Sequence, residues 1–211
     1  VFGQDPLWLA WATDLVNLKG AGDMSQYEFV LHNWTPARFK VGQMIGSSGI
    51  LMGMAFAMYR NVDPDKKARY KSMYFSAALA VFLTGVTEPL EFMFMFAAVP
   101  LYVIYSVIQG AAFAMADILP LRVHSFGNIE LLTRTPLAIK AGLGGDLINF
   151  VLCVIAFGIV TYFLANFLIK KFNFATPGRN GNYDNDSEET VVSNSGTGTA
   201  DQQVVQIIHL L

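Results

Sequence analysis

Residues 84–92 place two carboxylates and a helix breaker inside a long apolar region, in the order Thr-Gly-Val-Thr-Glu-Pro-Leu-Glu-Phe. In the apolar interior of a bilayer, a charged side chain costs about 2.5 to 3.5 kcal/mol on insertion scales. Two carboxylates that faced lipid would therefore be hard to retain. Glu88 and Glu91 are expected to face protein, water or a ligand.

The backbone at the same place predicts an interrupted helix. Gly85 allows the chain to bend, and Pro89 moves Glu88 away from the helical region. Unpaired backbone at membrane depth is tolerated only where it lines a cavity or is buried in protein. Pro89 is suited to open a new helix, which predicts Glu88 as its cap and Glu91 as the third residue, reaching back to the cap amide. Two interpretations stay open: a capped helix end with no further role, or a substrate site of the kind that broken helices form in transporters.

The composition is typical of a membrane protein. Hydrophobic residues make up 54% of the 211 positions and charged residues only 14%, whereas soluble domains carry about 25% charge. The net charge of -2 argues against a nucleic-acid partner. The single cysteine, Cys153, excludes a disulfide framework and a thiolate metal cluster. Residues 1–12 lack the basic flank of a signal peptide, and the chain is expected to be part of a longer protein.

Four apolar stretches predict helices at membrane depth. The clearest is residues 147–169, which contain 23 positions without a formal charge. Residues 73–86 are about 14 positions long, whereas a helix needs ~20 to span the membrane, so they are expected to form one arm of a re-entrant hairpin. Residues 89–115 are expected to contain the return arm and a following helix. Residues 41–59 carry glycines at spacings that let helices approach closely. These glycines are Gly42, Gly46, Gly49 and Gly53.

Basic residues predict the orientation of the chain. Residues 61–71 form a charged loop with a basic excess, and Lys170 and Lys171 follow the last span directly. Both sites are expected on the cytoplasmic side, so the chain crosses an even number of times between them: a hairpin, one outward crossing and a return. Residues 5–19 are too short and too polar for a span, and their tryptophans suit the membrane interface. Residues 20–33 are expected to be a loop.

The carboxyl-terminal part differs in composition from the rest. Residues 176–200 are rich in Asn, Asp, Ser, Gly and Thr, which predicts a flexible linker. Residues 201–211 have the pattern of a short amphipathic helix that is not stable alone, so they are expected to begin a cytoplasmic domain. Residues 1–175 then form the membrane domain.

The broken-helix residues TGVTEPLEF closely resemble the sugar-binding signature of the membrane (C) component of phosphotransferase-system sugar permeases, in the glucose, maltose and N-acetylglucosamine group. Four further segments are similar to the same family: GQDPLWLAWATDL, WTPARFKVGQM, HSFGNIELLTRTPLAIKAGL and FLIKKFNFATPGR. The resemblance covers nearly the whole chain, which looks most like the glucose or maltose permeases of Gram-positive bacteria. Residues 201–211 look like the first helix of the attached B domain.

The resemblance implies an α-helical integral membrane protein, multi-pass in the cell membrane, with transmembrane helices and re-entrant hairpins. This chain would be the C-terminal transport unit, and a homodimer would form through an N-terminal half. Glu88 would bind sugar hydroxyls with Thr87 beside it, while Glu91 holds the broken helix end. Arg38 is a further candidate for substrate contact, although Arg38 and Lys40 are more often expected to snorkel to the interface.

The resemblance also implies uptake that depends on phosphoenolpyruvate, as part of a protein-phosphocysteine sugar phosphotransferase. The substrate would be glucose or a related glucoside such as maltose, phosphorylated at its 6-hydroxyl by the B domain. The partners would be the phosphorylated A and B components and the lipid bilayer, without a cofactor or metal. Cys153 does not replace the phosphorylated cysteine, because it lies inside an apolar span. The family's second sugar-site segment, which ends in two histidines, does not occur in this sequence, and neither His32 nor His124 has its context.

Two alternatives use the same broken helix differently. An ion-coupled secondary sugar transporter without phosphorylation would use Glu88 to carry a proton. A sensor or anchor without transport would use the membrane part only to position a cytoplasmic domain. Sugar binding that depends on Glu88 separates transport from the second alternative.

Overall fold

The computed structural model describes residues 4–181. This part of the chain is helical and contains no β-strand. Its α-helices are α1 (Gln4–Ala21), α2 (Met24–Asn33), α3 (Val41–Ile45), α4 (Leu51–Arg60), α5 (Lys67–Thr84), α6 (Glu88–Met95), α7 (Val99–Ile118), α8 (Asn128–Lys140) and α9 (Gly144–Lys171). A 3-10 turn (Arg38–Lys40) precedes α3, and a π-helical segment (Gly46–Ile50) joins α3 to α4.

Within residues 4–181, three helical runs are long and apolar enough to cross a membrane: Arg38–Arg60, α7 and α9, with 23, 20 and 28 residues. The expected α-helical membrane fold is confirmed, and the apolar residues 147–169 lie inside α9. The run Arg38–Arg60, called the central run below, has 83% of its apolar stretch buried, whereas α9 has 17% buried. The central run is therefore the element around which the others pack.

Small residues bring α9 into backbone contact with the central run, as the glycine spacing predicted. A methyl group on Gly49 would overlap the carbonyl oxygen of Val154, and one on Gly53 would overlap that of Gly158. The residue numbers of the contacting positions increase together along both helices, so α4 and α9 run parallel. Both helices therefore bring their basic ends to the same side of the molecule.

The other face of the central run contacts α7 in the opposite direction. A methyl group on Gly42 would overlap Phe113, and one on Gly46 would overlap the side chain of Gln109. Because the residue number increases along the central run while it decreases along α7, the two helices are antiparallel. The order of a hairpin (α5 and α6), one crossing (α7) and a return (α9) therefore agrees with the predicted number of crossings.

Hydrogen bonds at the basic end join the predicted charged loop to the last span. Arg60 donates to the hydroxyl of Tyr162 at 2.8 Å, and the side-chain amide of Asn61 donates to that of Asn166 at 2.8 Å. Residues 61–71 and the end of α9 therefore lie on the same side, as the count of crossings required.

Residues 20–33 are not the expected loop, because they contain α2. Asp23 precedes this helix, and its carboxylate accepts the backbone N–H of Gln26 at 3.1 Å. A side chain that accepts one of the free amides of the first turn stabilises a helix start by about 1 kcal/mol. The polar residues of this segment therefore belong to a helix cap and a largely exposed helix, not to a loop.

The amino-terminal tryptophans are buried inside the protein. Trp8 and Trp11 are 1% and 2% exposed, and they pack in a second apolar cluster with α8. Each indole finds a partner inside the protein: Trp8 donates to the carbonyl of Arg122 at 3.0 Å, and Trp11 donates to that of Val30 at 3.4 Å. A buried indole with a satisfied N–H does not require the membrane interface.

The start of the predicted 176–200 linker is docked rather than free. Pro177 and Gly178 are buried, and their carbonyls accept the hydroxyl of Tyr74 at 3.0 Å and the backbone N–H of Asp63 at 3.0 Å. Pro177 and Gly178 therefore pack against the helical part of the chain. The remainder of the predicted linker and the predicted start of a further domain, residues 201–211, lie outside the described residues.

Candidate functional site

The predicted break in the helix lies at the tip of the hairpin formed by α5 and α6. α5 ends at Thr84, and the amide of Gly85 closes its last turn on the carbonyl of Val81 at 2.8 Å. Gly85 has a φ of 76°, the left-handed conformation that ends many helices and that glycine adopts without strain. α6 then begins at Glu88, so residues 85–87 form the tip.

The start of α6 corrects one detail of the predicted capping. Thr87, not Glu88, is the N-cap: its carbonyl accepts the amides of Leu90 and Glu91 at 3.2 and 3.1 Å. Pro89 is then the second helical residue, not the first. This position is equally suitable because the amides of the first turn have no partner within the helix, so the missing proline N–H loses no hydrogen bond.

The two glutamates differ in their contacts. Glu91 does not reach back to the cap amide as expected; its Oε1 accepts the hydroxyl of Tyr105 on α7 at 2.7 Å. Tyr105 is 4% exposed, so this contact fixes α6 against α7 inside the protein. Glu88 is exposed at the tip, and within residues 4–181 its carboxylate has no hydrogen bond or ion pair. Glu88 is therefore the carboxylate that remains available to a ligand.

A small cleft of about 140 Å³ opens at the tip. It is lined by residues from the central run, both sides of the tip and the loop before α8: Gln43, Thr84, Gly85, Val86, Thr87, Glu88 and Phe126. Pockets that hold small molecules usually measure about 300 to 1,000 Å³. This tip cleft is therefore one wall of a site rather than a complete pocket. It brings together Thr87 and Glu88, two of the predicted site residues.

Arg38, the third predicted contact, does not line the tip cleft. Its guanidinium pairs with the carboxylate of Asp117 at 2.6 Å and donates to the carbonyl of Ala116 at 3.3 Å, at the end of α7. A guanidinium held by a carboxylate in this way links the central run to α7. The structure thus gives Arg38 a structural contact.

Lys40, two residues later, lies closer to the tip cleft. Its ammonium group donates to the side-chain oxygen of Gln43 and lies 4.8 Å from the ring centre of Phe126. Both of these residues line the tip cleft, and sequence reasoning had assigned neither to the site. Their only signal in the sequence is that Gln43 is a polar residue in an apolar run and that Phe126 precedes a glycine.

Asn128 fixes the depth of the tip relative to the central run. Its side-chain amide donates to the hydroxyl of Ser48 at 2.8 Å and to the carbonyl of Phe82 at 2.7 Å. Ser48 is near the middle of the 23-residue run Arg38–Arg60, and Phe82 is two residues before the end of α5. The tip of the hairpin therefore lies near the middle of the membrane-spanning helix, where irregular backbone must be buried or line a cavity.

A second loop supports the tip from behind. The backbone of Gly85 contacts this second loop so closely that a methyl group on Gly85 would overlap the carbonyl of Phe126. In the same way, a methyl group on Gly127 would overlap the carbonyl of Thr84. The Glu130 carboxylate accepts the amide of Phe126 at 2.6 Å and holds this second loop in place. The position of the tip thus depends on contacts between two loops that are far apart in the sequence.

The groups around the tip cleft match a neutral molecule with many hydroxyls. Glu88 supplies an ionised acceptor, Gln43 an amide, Lys40 a cationic donor, and Phe126 an aromatic face. Residues 4–181 contain no group of three or more His, Cys, Asp or Glu side chains placed to hold a metal ion. The arrangement around the tip cleft is suited to binding such a molecule by hydrogen bonds.

Comparisons with known proteins agree with this geometry. Residues 14–110 match the family described as "Phosphotransferase system, EIIC". Over all 211 residues, the chain is 63% identical to the PTS system glucose-specific EIICBA component of Streptococcus pneumoniae serotype 4, of which it covers 29%. Over 186 residues, or 85% of the chain, it is 33% identical to the PTS system glucoside-specific EIICBA component of Staphylococcus carnosus, of which it covers 24%. The chain thus spans less than a third of the length of these curated relatives.

Proposed function

Because the chain belongs to the EIIC family of the phosphotransferase system, we propose that it forms the sugar-binding transport unit of a permease that takes up glucose and couples uptake to phosphorylation. One observation carries the proposal: Glu88 is exposed at a hairpin tip near mid-membrane and has no partner within residues 4–181, while Glu91 is held by Tyr105. A charged side chain at membrane depth costs free energy unless a partner stabilises it, and a bound ligand would be such a partner.

The sugar would be recognised by hydrogen bonds to its hydroxyl groups. The Glu88 carboxylate would accept one or two of them, with the Thr87 hydroxyl beside it. Hydrogen bonds to an ionised acceptor are about twice as strong as neutral ones, and a cavity of reduced dielectric strengthens them further. Lys40 and Gln43 would donate from the central run, and Phe126 would lie against the apolar face of the sugar ring.

Transport would end with phosphorylation on the cytoplasmic side. A phosphocysteine of the attached B component would transfer its phosphoryl group to the oxygen of the sugar 6-hydroxyl; the hydroxyl proton leaves and the cysteine thiolate is regenerated. The names of both relatives combine the C, B and A components in one chain, which supports B and A as partners. Cys153 is buried in α9, so it is not proposed as the phosphorylated thiol.

Glucose is the proposed substrate because the relative with 63% identity is named as glucose-specific. The relative with 33% identity is named as glucoside-specific, so β- or α-glucosides are the next class to test. Neither name mentions maltose. A homodimer is proposed from the family resemblance.

The experiment is uptake and phosphorylation of a sugar panel by the full-length protein in membrane vesicles. Glucose, a methyl glucoside and maltose are supplied with the general phosphotransferase components and phosphoenolpyruvate. Glucose uptake is expected to persist when the proton gradient is collapsed and to stop when phosphoenolpyruvate is withheld. Uptake with the reverse dependence would instead favour the ion-coupled alternative, which neither relative supports. Sugar-independent signalling without uptake would favour the sensor alternative.

A further inference from the structure

Two apolar clefts lie on either side of α4, away from the tip cleft. The α4–α9 groove measures about 730 Å³, and its walls include Met52, Phe56, Ile155, Ile159 and Phe163. Its floor is the line of small residues that brings the two helices together. Because α9 and the central run are membrane spans, the groove opens at membrane depth.

The second cleft lies between α4 and α5. The α4–α5 cleft measures about 330 Å³ and is lined almost entirely by apolar atoms, including those of Phe75, Leu79 and Phe82. Met52, Phe56 and Tyr59 line both clefts. Phe56 is 64% exposed and forms a ridge between the two. Two neighbouring apolar clefts that share a wall of three side chains offer room for two hydrocarbon chains.

Three cations surround the basic end of both clefts. Arg60 and Lys67 line the α4–α9 groove, and Lys71 lines the α4–α5 cleft. All three side chains are exposed, and within residues 4–181 none of them has a carboxylate partner. Arg60 is held toward the groove by its hydrogen bond to Tyr162 at 2.8 Å. An anionic group bound at this end would neutralise these cations.

Charge complementarity favours a lipid over a protein helix as the occupant. A helix seated across both clefts would cover Arg60, Lys67 and Lys71, and a cation buried without a partner is strongly destabilising. An anionic phospholipid places a phosphate at the membrane surface and apolar chains below it, which is the order of groups found here. Basic clusters at the cytoplasmic surface gain about 1 kcal/mol per Lys or Arg from anionic lipid.

We propose that one anionic diacyl phospholipid binds across α4, with one acyl chain in the α4–α9 groove, the other in the α4–α5 cleft, and its phosphate between Arg60, Lys67 and Lys71. The lipid packs both sides of Phe56 and thereby joins the hairpin arm α5 to the paired helices α4 and α9. The site is separate from the tip cleft, so the proposal does not depend on the identity of the transported sugar.

The test measures lipid binding to the full-length protein in detergent. Phosphatidylglycerol and phosphatidylcholine with the same palmitoyl and oleoyl chains are titrated separately, with inorganic phosphate as a headgroup-only control. Retained lipid is counted by native mass spectrometry, and the melting temperature is followed in parallel. Phosphatidylglycerol is expected to bind at least about tenfold more tightly than phosphatidylcholine, and phosphate alone is expected to leave the melting temperature unchanged.

Two matched pairs of substitutions locate the site. Lys67→Gln with Lys71→Gln is expected to weaken phosphatidylglycerol binding about tenfold or more. The control, Lys170→Gln with Lys171→Gln, removes the same charge from the same end of the molecule and is expected to change binding less than about twofold. Equal effects of the two pairs would overturn the site, because they would indicate a diffuse attraction to the basic end.

A third variant tests the groove without changing charge. Ile159 is 53% exposed on the wall of the α4–α9 groove, so Ile159→Trp fills space without entering the protein core. It is expected to reduce phosphatidylglycerol binding while the lipid-free melting temperature holds. Unchanged binding would overturn the acyl-chain placement. Efficient crosslinking of Ile159→Cys to a second copy of the chain would also overturn the proposal and identify the groove as a protein interface.

Discussion

The carboxylates of Asp146 and Glu88 are held in opposite ways. Asp146, in the first turn of α9, is 4% exposed and accepts three hydrogen bonds from Arg122: its backbone N–H at 2.8 Å, Nε at 2.8 Å and Nη2 at 3.1 Å. Glu88, in the first turn of α6, is exposed and has no partner within the described part of the chain. The comparison separates a charge that holds the fold together from a charge that is left available.

The difference has a clear consequence for mutation. A buried carboxylate with a full set of donors cannot be changed without leaving its partner charged and unpaired. An exposed carboxylate without donors can be changed at little cost to the fold. Substitution of Asp146 should therefore lower stability more than substitution of Glu88 does, and substitution of Glu88 should lower sugar affinity more than substitution of Asp146 does.

The largest expected effect on stability is that of Asp146→Asn. The substitution leaves the guanidinium of Arg122 with a neutral partner in a mostly buried position, and breaking such a pair costs about 3 to 5 kcal/mol. The free energy of unfolding in detergent, from a denaturant titration, measures the loss. Asp14→Asn, at an exposed position of α1, is the control and should stay within about 0.5 kcal/mol of wild type. A similar small change for Asp146→Asn would refute the structural role of the ion pair.

Gly85→Ala is expected to follow, with a loss of about 2 to 4 kcal/mol. The added methyl group meets a positive φ and the carbonyl of Phe126 at once, and each of these costs about 1 to 2 kcal/mol. The same substitution should also abolish sugar binding, since the tip must move. Gly110→Ala is the matched control, because a methyl group there meets no atom within 4 Å and favours the helix. A Gly85→Ala protein with normal stability would show that the two loops are not in contact.

Tyr105→Phe should destabilise the protein by about 1.5 to 3 kcal/mol, the contribution of a hydrogen bond to an ionised group. The substitution removes the donor to Glu91 and leaves the ring in place. Tyr102→Phe is the matched control: its ring contacts Phe94 as that of Tyr105 does, while its hydroxyl has no hydrogen bond in residues 4–181. Equal losses in unfolding free energy for the two variants would mean that Glu91 does not hold α6 on α7.

The sequence predicted the features that depend on local chemistry. Glycine and proline fix backbone geometry wherever they occur, so the break around Gly85 and Pro89 was predictable. The span at residues 147–169 was predictable because it is apolar and carries no formal charge, and the close approach of the helices was predictable from the spacing of the glycines. The predicted roles of the two glutamates, Glu88 for sugar and Glu91 for structure, stay predictions, and the contact that Glu91 makes with Tyr105 is not the expected cap.

The remaining features depend on which distant residues meet. Arg38 and Lys40 are equivalent in the sequence, and only the packing of the central run against α7 pairs Arg38 with Asp117 and leaves Lys40 beside the tip cleft. Gln43 and Phe126 reach the same cleft from elements that are far apart in the chain. The polar segment that forms α2 and the docked residues 176–181 have loop-like compositions, so their contacts could be found only in the folded molecule.

Sugar affinity of Glu88→Gln, measured together with its stability, tests the central claim most directly. The full-length protein in detergent is titrated with glucose by calorimetry, and its melting temperature is recorded. A loss of about 1.5 to 3 kcal/mol in binding, or roughly 10- to 100-fold in affinity, is predicted, with the free energy of unfolding within about 0.5 kcal/mol of wild type. Unchanged glucose affinity, or a loss of stability as large as that of Asp146→Asn, would contradict the assignment of Glu88 to the sugar.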